Sequence, residues 1–343
     1  MNTKSLLLVA FVVLVLAALS VSGFNAGQVM VNGAHVGQLT GTEEATEAAT
    51  EEAEPTEAVT ELPTFDFSNV GTEQEPIIMS FVPSGDTQEI IAGGEAIAKM
   101  ITEQTGLVVK AVVGTDFAAV REAMGTGKAH IGWLNTFNYV LAHEKYGVDV
   151  ALVTVRFGAT TYKGQIIVRA DSGIKTLADL KGKSMCWVDV NSTSGYIIPR
   201  IMLKAEGLDP DKDFSKTVEA GSHNNVVTAV YKGDCAAGAT YSDARGTIEK
   251  DYPDVKEKVI VLATTSDIPN DNVAFVKDFP AEKREAIVKA LLNIATTDEG
   301  KKALNTVYQI AGLEETDDSF YDVFRADLSK AGMKIDELVT PQK

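Results

Sequence analysis

The sequence predicts an α/β protein of two lobes, each a mainly parallel sheet flanked by helices. Two observations carry this: from Pro76 onward short apolar runs alternate with amphipathic stretches of helical period, and the alternation completes one unit and begins again near Gln165. A third, the helical tail after the second unit, supplies chain enough to return to the first.

The first unit opens on the buried strand IIMSF at Ile77, followed by an amphipathic helix over residues 88–105 and the strand LVVKAVV at Leu107. A short helix capped by Thr115 or Asp116 leads to the strand HIGWLN at His130, a helix through Lys145, and VALVTV at Val150. The second unit runs QIIVRA at Gln165, SMCWVDV at Ser184, TVEAG at Thr217 and CAAGATY at Cys235, with helices starting near Ser194, His223 and Ser242. VIVLAT at Val259 and NVAFV at Asn272 precede three helical stretches over residues 280–296, 298–311 and 320–331. Open α/β sheets bind ligands at the carboxyl ends of their strands, so the site is expected in the cleft between the lobes.

Composition bounds the function. Hydrophobic residues are 45% and charged residues 23% of the 343, which excludes wholesale disorder and a multi-span membrane protein. The net charge of -17 is concentrated: residues 41–75 carry about eleven acidic side chains and no basic ones. That Thr/Glu/Ala-rich stretch, with Pro55 and Pro63, reads as an extended tether. No basic patch stands out, so a nucleic-acid partner is not expected. Ahead of the tether, after Lys4, LLLVAFVVLVLAALSVSG is uncharged for about eighteen residues, longer than a usual secretory h-region. Export follows, and residues 1–40 are read as a signal or anchor segment, an uncleaved membrane anchor being favoured over a cleaved signal.

The chemistry is concentrated in two segments. VDVNSTSGYIIPR at Val188 ends a strand, passes through a hydroxyl-rich turn and starts a helix, so Ser192, Thr193 and Ser194 stand beside free N–H groups at a helix N-terminus. Gly195 lets the backbone approach closely. A simple N-cap needs one hydroxyl, and three in a row point to a bound anion. In AGSHNNVVTAVYKGDCAAG, His223 sits at the corresponding strand end and can donate to the same anion. No histidine or cysteine pair has metal-ligand spacing, so neither a metal nor a cofactor is expected.

FVPSGD at Phe81, GTDFAAVREAMGTGKAHIGWLN at Gly114, VRADSGIKTLADLKGK at Val168, VNSTSGY at Val190, GSHNNVVTAVYKGD at Gly221 and IPNDNVAF at Ile268 resemble, in order, the phosphate/phosphite/phosphonate-binding proteins of ABC importers. The resemblance implies a type II periplasmic-binding-protein (Venus-flytrap) fold, with lobe 1 over residues 76–160 plus 272–343 and lobe 2 over 161–271. It implies that Ser192, Thr193, Ser194 and His223 hold the phosphorus oxygens, that Tyr162 closes over them, and that Ser84, Asn135 and Thr136 approach from lobe 1. Asp243 and Asp271 are the candidates for a ligand-selecting carboxylate, which makes sense only if the ligand presents a protonated oxygen or an amino group. Implied partners are a small phosphorus oxyanion and an ABC permease, with the chain a monomer tethered to the membrane by its N-terminal segment. Cys186 and Cys235 stand where such proteins are expected to carry valine, on strands expected to be neighbours, and are either a disulfide or two buried thiols.

Three rivals remain open at this level. An enzyme is disfavoured because no phosphate loop or nucleophile elbow is present. The same fold could serve a sulfonate, a thiamine precursor or an amino acid, or act as a ligand-sensing domain.

Overall fold

The computed structural model describes residues 64–335. The anchor segment and most of the tether lie outside the described residues, among which no helix is long and apolar enough to cross a membrane. In chain order the elements are β1 (Ile77–Phe81), α1 (Thr87–Thr105), β2 (Val109–Val113), α2 (Phe117–Gly125), β3 (Ile131–Leu134), α3 (Thr136–Tyr146) and β4 (Asp149–Val155). They continue with β5 (Thr161–Arg169), β6 (Ser184–Trp187), α4 (Ile198–Ala205), β7 (Lys216–Glu219), α5 (His223–Lys232), β8 (Ala237–Tyr241), α6 (Val255–Lys258) and β9 (Val259–Pro269). The chain closes with β10 (Asn272–Phe275), α7 (Ala281–Ile294), α8 (Asp298–Tyr308), β11 (Gly312–Glu315) and α9 (Asp322–Lys330).

Two sheets result, one of six strands in the order β11-β4-β10-β3-β1-β2 and one of five in the order β7-β6-β8-β5-β9. Both are mixed rather than mainly parallel. In the first, β1 runs parallel to β2 and β3, whereas β10 is antiparallel to β3 and β4, and β11 to β4. In the second, β6 is parallel to β7 and β8, while β5 is antiparallel to β8 and β9. The reason lies in the connections: the chain passes between the sheets from β4 to β5 and back from β9 to β10, and a strand arriving from the other sheet enters against the local direction.

The two passages are hydrogen-bonded to each other. Thr154 N–H donates to Asp271 O at 2.9 Å, and Asn270 N–H to Thr160 O at 2.8 Å. Asn270 Nδ2 adds a bond to Ala159 O at 3.1 Å, and Thr136 Oγ1 donates to Pro269 O at 2.5 Å. Helices cover the sheets, α1 packing against α7 and α8, α2 against α3, and α5 against β8. In the first sheet Phe81 stacks on Trp133 with ring centroids 5.3 Å apart, both fully buried. In the second, Cys186 of β6 and Cys235, two residues ahead of β8, form a disulfide with Cα atoms 5.9 Å apart, made possible because β6 and β8 pair directly.

The folded body begins earlier than Pro76. Val70 is buried, Phe67 packs edge-on against Phe279 at 5.6 Å, and Lys283 Nζ donates to Val70 O at 2.7 Å. The acidic composition of the preceding tether masks these apolar anchors in the sequence.

A chain begun at Pro76 should therefore melt below one begun at Thr64, since the burial of Val70 alone is worth about 1.5–3 kcal/mol; equal melting temperatures would show the segment to be dispensable. Replacing Cys186 and Cys235 together by alanine should lower stability by about 2–4 kcal/mol, because the disulfide closes a long loop. Denaturant titration with and without reductant checks this, an unchanged midpoint on reduction being the contrary result.

Candidate functional site

The hydroxyl turn after β6 is folded in on itself. Ser192, Thr193 and Ser194 are buried. Ser192 Oγ accepts the Gly195 N–H at 3.1 Å and so caps a wide helical turn over Thr193–Ile197 that runs into α4. Glycine is required at 195, where a Cβ would lie 2.4 Å from Val188 Cγ2. Thr193 Oγ1 accepts two bonds from the first-sheet side, from Asn135 Nδ2 at 2.8 Å and from the Phe137 N–H at 3.0 Å. A hydroxyl has one proton and two lone pairs. With the acceptor side of Thr193 occupied, its own proton is left for a further acceptor. The Tyr162 hydroxyl adjoins Ser194 and Thr193, and burial, reinforced by the charge of Asp271, raises its pKa so that it too keeps its proton.

His223 is the first residue of α5, capped by Ser222 Oγ, which accepts the Asn225 N–H at 3.3 Å. Its Nδ1 lies 2.7 Å from Thr240 Oγ1 and receives the Tyr241 backbone N–H at 3.3 Å. A backbone N–H can only donate, so Nδ1 is the unprotonated nitrogen and the proton sits on Nε2. Burial, with the nearby Arg156 charge, pushes the imidazole pKa down to about 3. His223 is thus a neutral donor at ordinary pH.

The passages between the sheets form the third wall. Arg156 follows β4, is 5% exposed, and lies 4.5 Å over the Tyr241 ring. Its Nη2 reaches Gln309 Oε1 at 3.5 Å, and its buried Nε has no hydrogen-bond partner. Asp271, ahead of β10, is buried beside it; desolvation pushes its pKa up to about 6 while the Arg156 charge works in the opposite direction.

These walls enclose a cavity of about 250 Å³ lined by Ser84, Asn135, Tyr162, Ser192, Thr193, Ser194, His223 and Asp271, all expected from the sequence. Two expected side chains lie elsewhere. Thr136 is buried with its hydroxyl committed to Pro269 O, holding α3 to the passage between the sheets. Asp243 is exposed, in a left-handed conformation with φ 65 at the turn after β8, which directs it to solvent. Sequence reasoning missed Arg156, Tyr241, Tyr308 and Gln309, which also line the cavity. Arg156 carries a sequence signal, a single cation at the end of an apolar strand. Among the described residues no cluster of side chains could hold a metal ion.

The cleft is closed. The His223 N–H donates to Ser84 O at 3.1 Å, Asn135 Nδ2 also reaches Asn191 O at 2.9 Å, and Arg121 Nη1 bonds Asn191 Oδ1 at 3.2 Å. Each of these contacts joins the first-sheet side to the second-sheet side. Taken together, the cavity presents neutral hydroxyl and imidazole donors on one wall and one cation and one carboxylate on another, a donor-rich set suited to a small oxyanion.

Residues 79–321 match the family model described as the periplasmic substrate-binding protein of a phosphonate ABC transporter. The chain is 30% identical over 218 residues to the phosphate-import protein PhnD of Mycolicibacterium smegmatis, covering 60% of this chain and 67% of that protein. It is 27% identical over 208 residues to the phosphonates-binding periplasmic protein of Escherichia coli, covering 59% of this chain and 61% of that protein. A crystal structure of a binding-protein component of an ABC phosphonate transporter from Pseudomonas aeruginosa superposes with a TM-score of 0.69 at 23% identity, over 78% of this chain and 89% of that one. The type II periplasmic-binding-protein fold is thereby shown.

The environment of Asp271 makes stability depend on pH. Its folded pKa is raised from 3.8 to about 6, so its contribution is complete below the unfolded value and is lost as pH rises through about 6. Asp271→Asn removes that loss. The variant should be more stable than the parent near pH 8, by at most about 3 kcal/mol, and nearly equal to it near pH 4. Thermal melts at both pH values check this; a variant no more stable at the higher pH contradicts the buried, ionised carboxylate.

Proposed function

Because the chain belongs to the family of periplasmic substrate-binding proteins of phosphonate ABC transporters, we propose that it captures phosphate, phosphite or a phosphonate in the closed cleft and delivers it to a permease. The family consists of substrate-binding transport proteins rather than enzymes and acts outside the cytoplasm. Retention at the membrane through residues 1–40 is part of the same reading, supported by the apolar run after Lys4.

One observation carries the ligand class. Around a single cavity the hydroxyls of Ser192, Thr193, Ser194 and Tyr162 converge with the proton of His223 Nε2, the acceptor sides of Thr193 and of His223 Nδ1 being already occupied, and Arg156 adds a buried cation. Such a wall needs an anion with several acceptor oxygens. A tetrahedral oxyanion supplies them in every direction, whereas a planar carboxylate supplies two in one plane. The names of the relatives, a phosphate importer and a phosphonate binder, agree with this class. Closure follows from the same bonds: the ligand binds one wall while Asn135 and the Phe137 N–H hold Thr193 from the other, so binding and closing favour each other.

Replacing Ser192, Thr193 and Ser194 together with alanine should weaken binding by several orders of magnitude, since each hydroxyl bonded to a charged ligand contributes about 1.5–3 kcal/mol. Calorimetry with inorganic phosphate, phosphite, methylphosphonate and sulfate, run beside thermal melts, checks it. Unaltered affinity of the folded triple variant, or a parent that binds none of the phosphorus ligands, overturns the reading.

A further inference from the structure

The carboxylate of Asp271 leaves two kinds of ligand open, one presenting a P–OH and one presenting an ammonium group, and Arg156 decides between them. Thr154 bonds the backbone of Asp271, and Arg156 lies two residues beyond Thr154, so both charged side chains issue from the paired passages between the sheets and line one cavity. Among the described residues Arg156 has no carboxylate within ion-pair distance, Asp271 included. Its guanidinium rests on the Tyr241 ring at 4.5 Å, with ring centroids of Tyr162 and Phe157 each at 5.9 Å. Beyond a long bond to Gln309 and a contact with the Tyr241 hydroxyl, its unpartnered Nε leaves donor capacity unspent. A guanidinium that is 5% exposed and has no carboxylate in ion-pair contact is costly unless an anion meets it.

Resting on the oxyanion reading above, we propose that Arg156 is the specificity-determining residue of this cavity, admitting phosphorus oxyanions whose only donor is a P–OH and excluding short aminoalkylphosphonates. An ammonium held by Asp271 would stand beside the buried guanidinium in a site that has shed most of its water, where like charges repel strongly. A P–OH satisfies Asp271 with no added positive charge, and the remaining phosphorus oxygens accept from Arg156. The other carboxylates on the cavity lining do not rescue the amine. Asp86, whose Oδ1 accepts the N–H groups of Gln88 and Glu89 at 2.9 and 3.0 Å, and Glu89 are both exposed, so solvent screens them where Asp271 is buried.

The test compares 2-aminoethylphosphonate with propylphosphonate, its near-isostere without the amine, by calorimetry on the full chain, with inorganic phosphate as the reference ligand. The parent should bind the amine at least about ten-fold more weakly than propylphosphonate. Arg156→Gln should narrow or invert that ratio, because Asp271 then acts alone, and Arg156→Lys, which keeps the charge, should preserve it. Melting curves verify that each variant is folded, and the parent ratio with Arg156→Lys decides the matter if Arg156→Gln does not fold. An amine bound by the parent as tightly as propylphosphonate, or a ratio unchanged in folded Arg156→Gln, overturns the role of Arg156 while leaving the oxyanion reading intact. Failure of the parent to bind any phosphorus ligand, phosphate included, overturns both.

Discussion

The pairing of the two passages between the sheets is the constraint from which the rest of the molecule follows. Thr154 to Asp271 and Asn270 to Thr160 tie the outgoing chain to the returning one. The passages leave both sheets mixed, because β10 enters against β3 and β4 and β5 against β8 and β9. It also sets Arg156 and Asp271 side by side at a place that every ligand in the cleft must face. Two opposite charges held near each other without an ion pair are stable only as parts of a larger polar arrangement, and the cavity supplies one.

The site is otherwise a study in saturated acceptors. Ser192 and Thr193 accept backbone and amide N–H groups, and His223 Nδ1 accepts from Tyr241. Every such bond fixes the direction in which the remaining proton points; those of Ser192 and His223 lie within the second-sheet side and stand before closure, whereas those to Thr193 form as the lobes meet. The positive charge is kept to Arg156, since His223 is held neutral by its burial and by that same guanidinium. Selectivity therefore depends on one buried cation and one buried carboxylate set among neutral donors.

Much of this was legible in the sequence because period and position coincide. Alternating apolar runs located nearly every strand, and consecutive hydroxyls at a strand-to-helix junction located the donor wall. β11 was not legible, because its sequence GLEE buries only Leu313 and gives no alternation to read. Strand direction escaped as well, since it depends on which lobe a strand returns to and local periodicity is blind to that. Arg156 escaped because a cation after an apolar strand ordinarily faces water, and only the fold reveals that the aromatic rings of Tyr162 and Tyr241 enclose it. Asp243 was expected at the site as a ligand-selecting carboxylate by resemblance, but its left-handed turn leaves it exposed and off the cavity lining.

The bond from the His223 N–H to Ser84 O spends part of the α5 N-terminus on the opposite side of the cleft. That N–H, like the amide N–H groups of Asn135, gains its partner only when the lobes meet, and the guanidinium of Arg121, already bonded to Asn138, gains a second one. None of these bonds needs to form for a solute to enter an open cleft, yet all of them must break before it leaves. Their weight accordingly falls on residence time rather than on the rate of capture. A scavenger built this way keeps what it has caught for as long as the two halves stay latched, and hands it over only to something able to pull them apart.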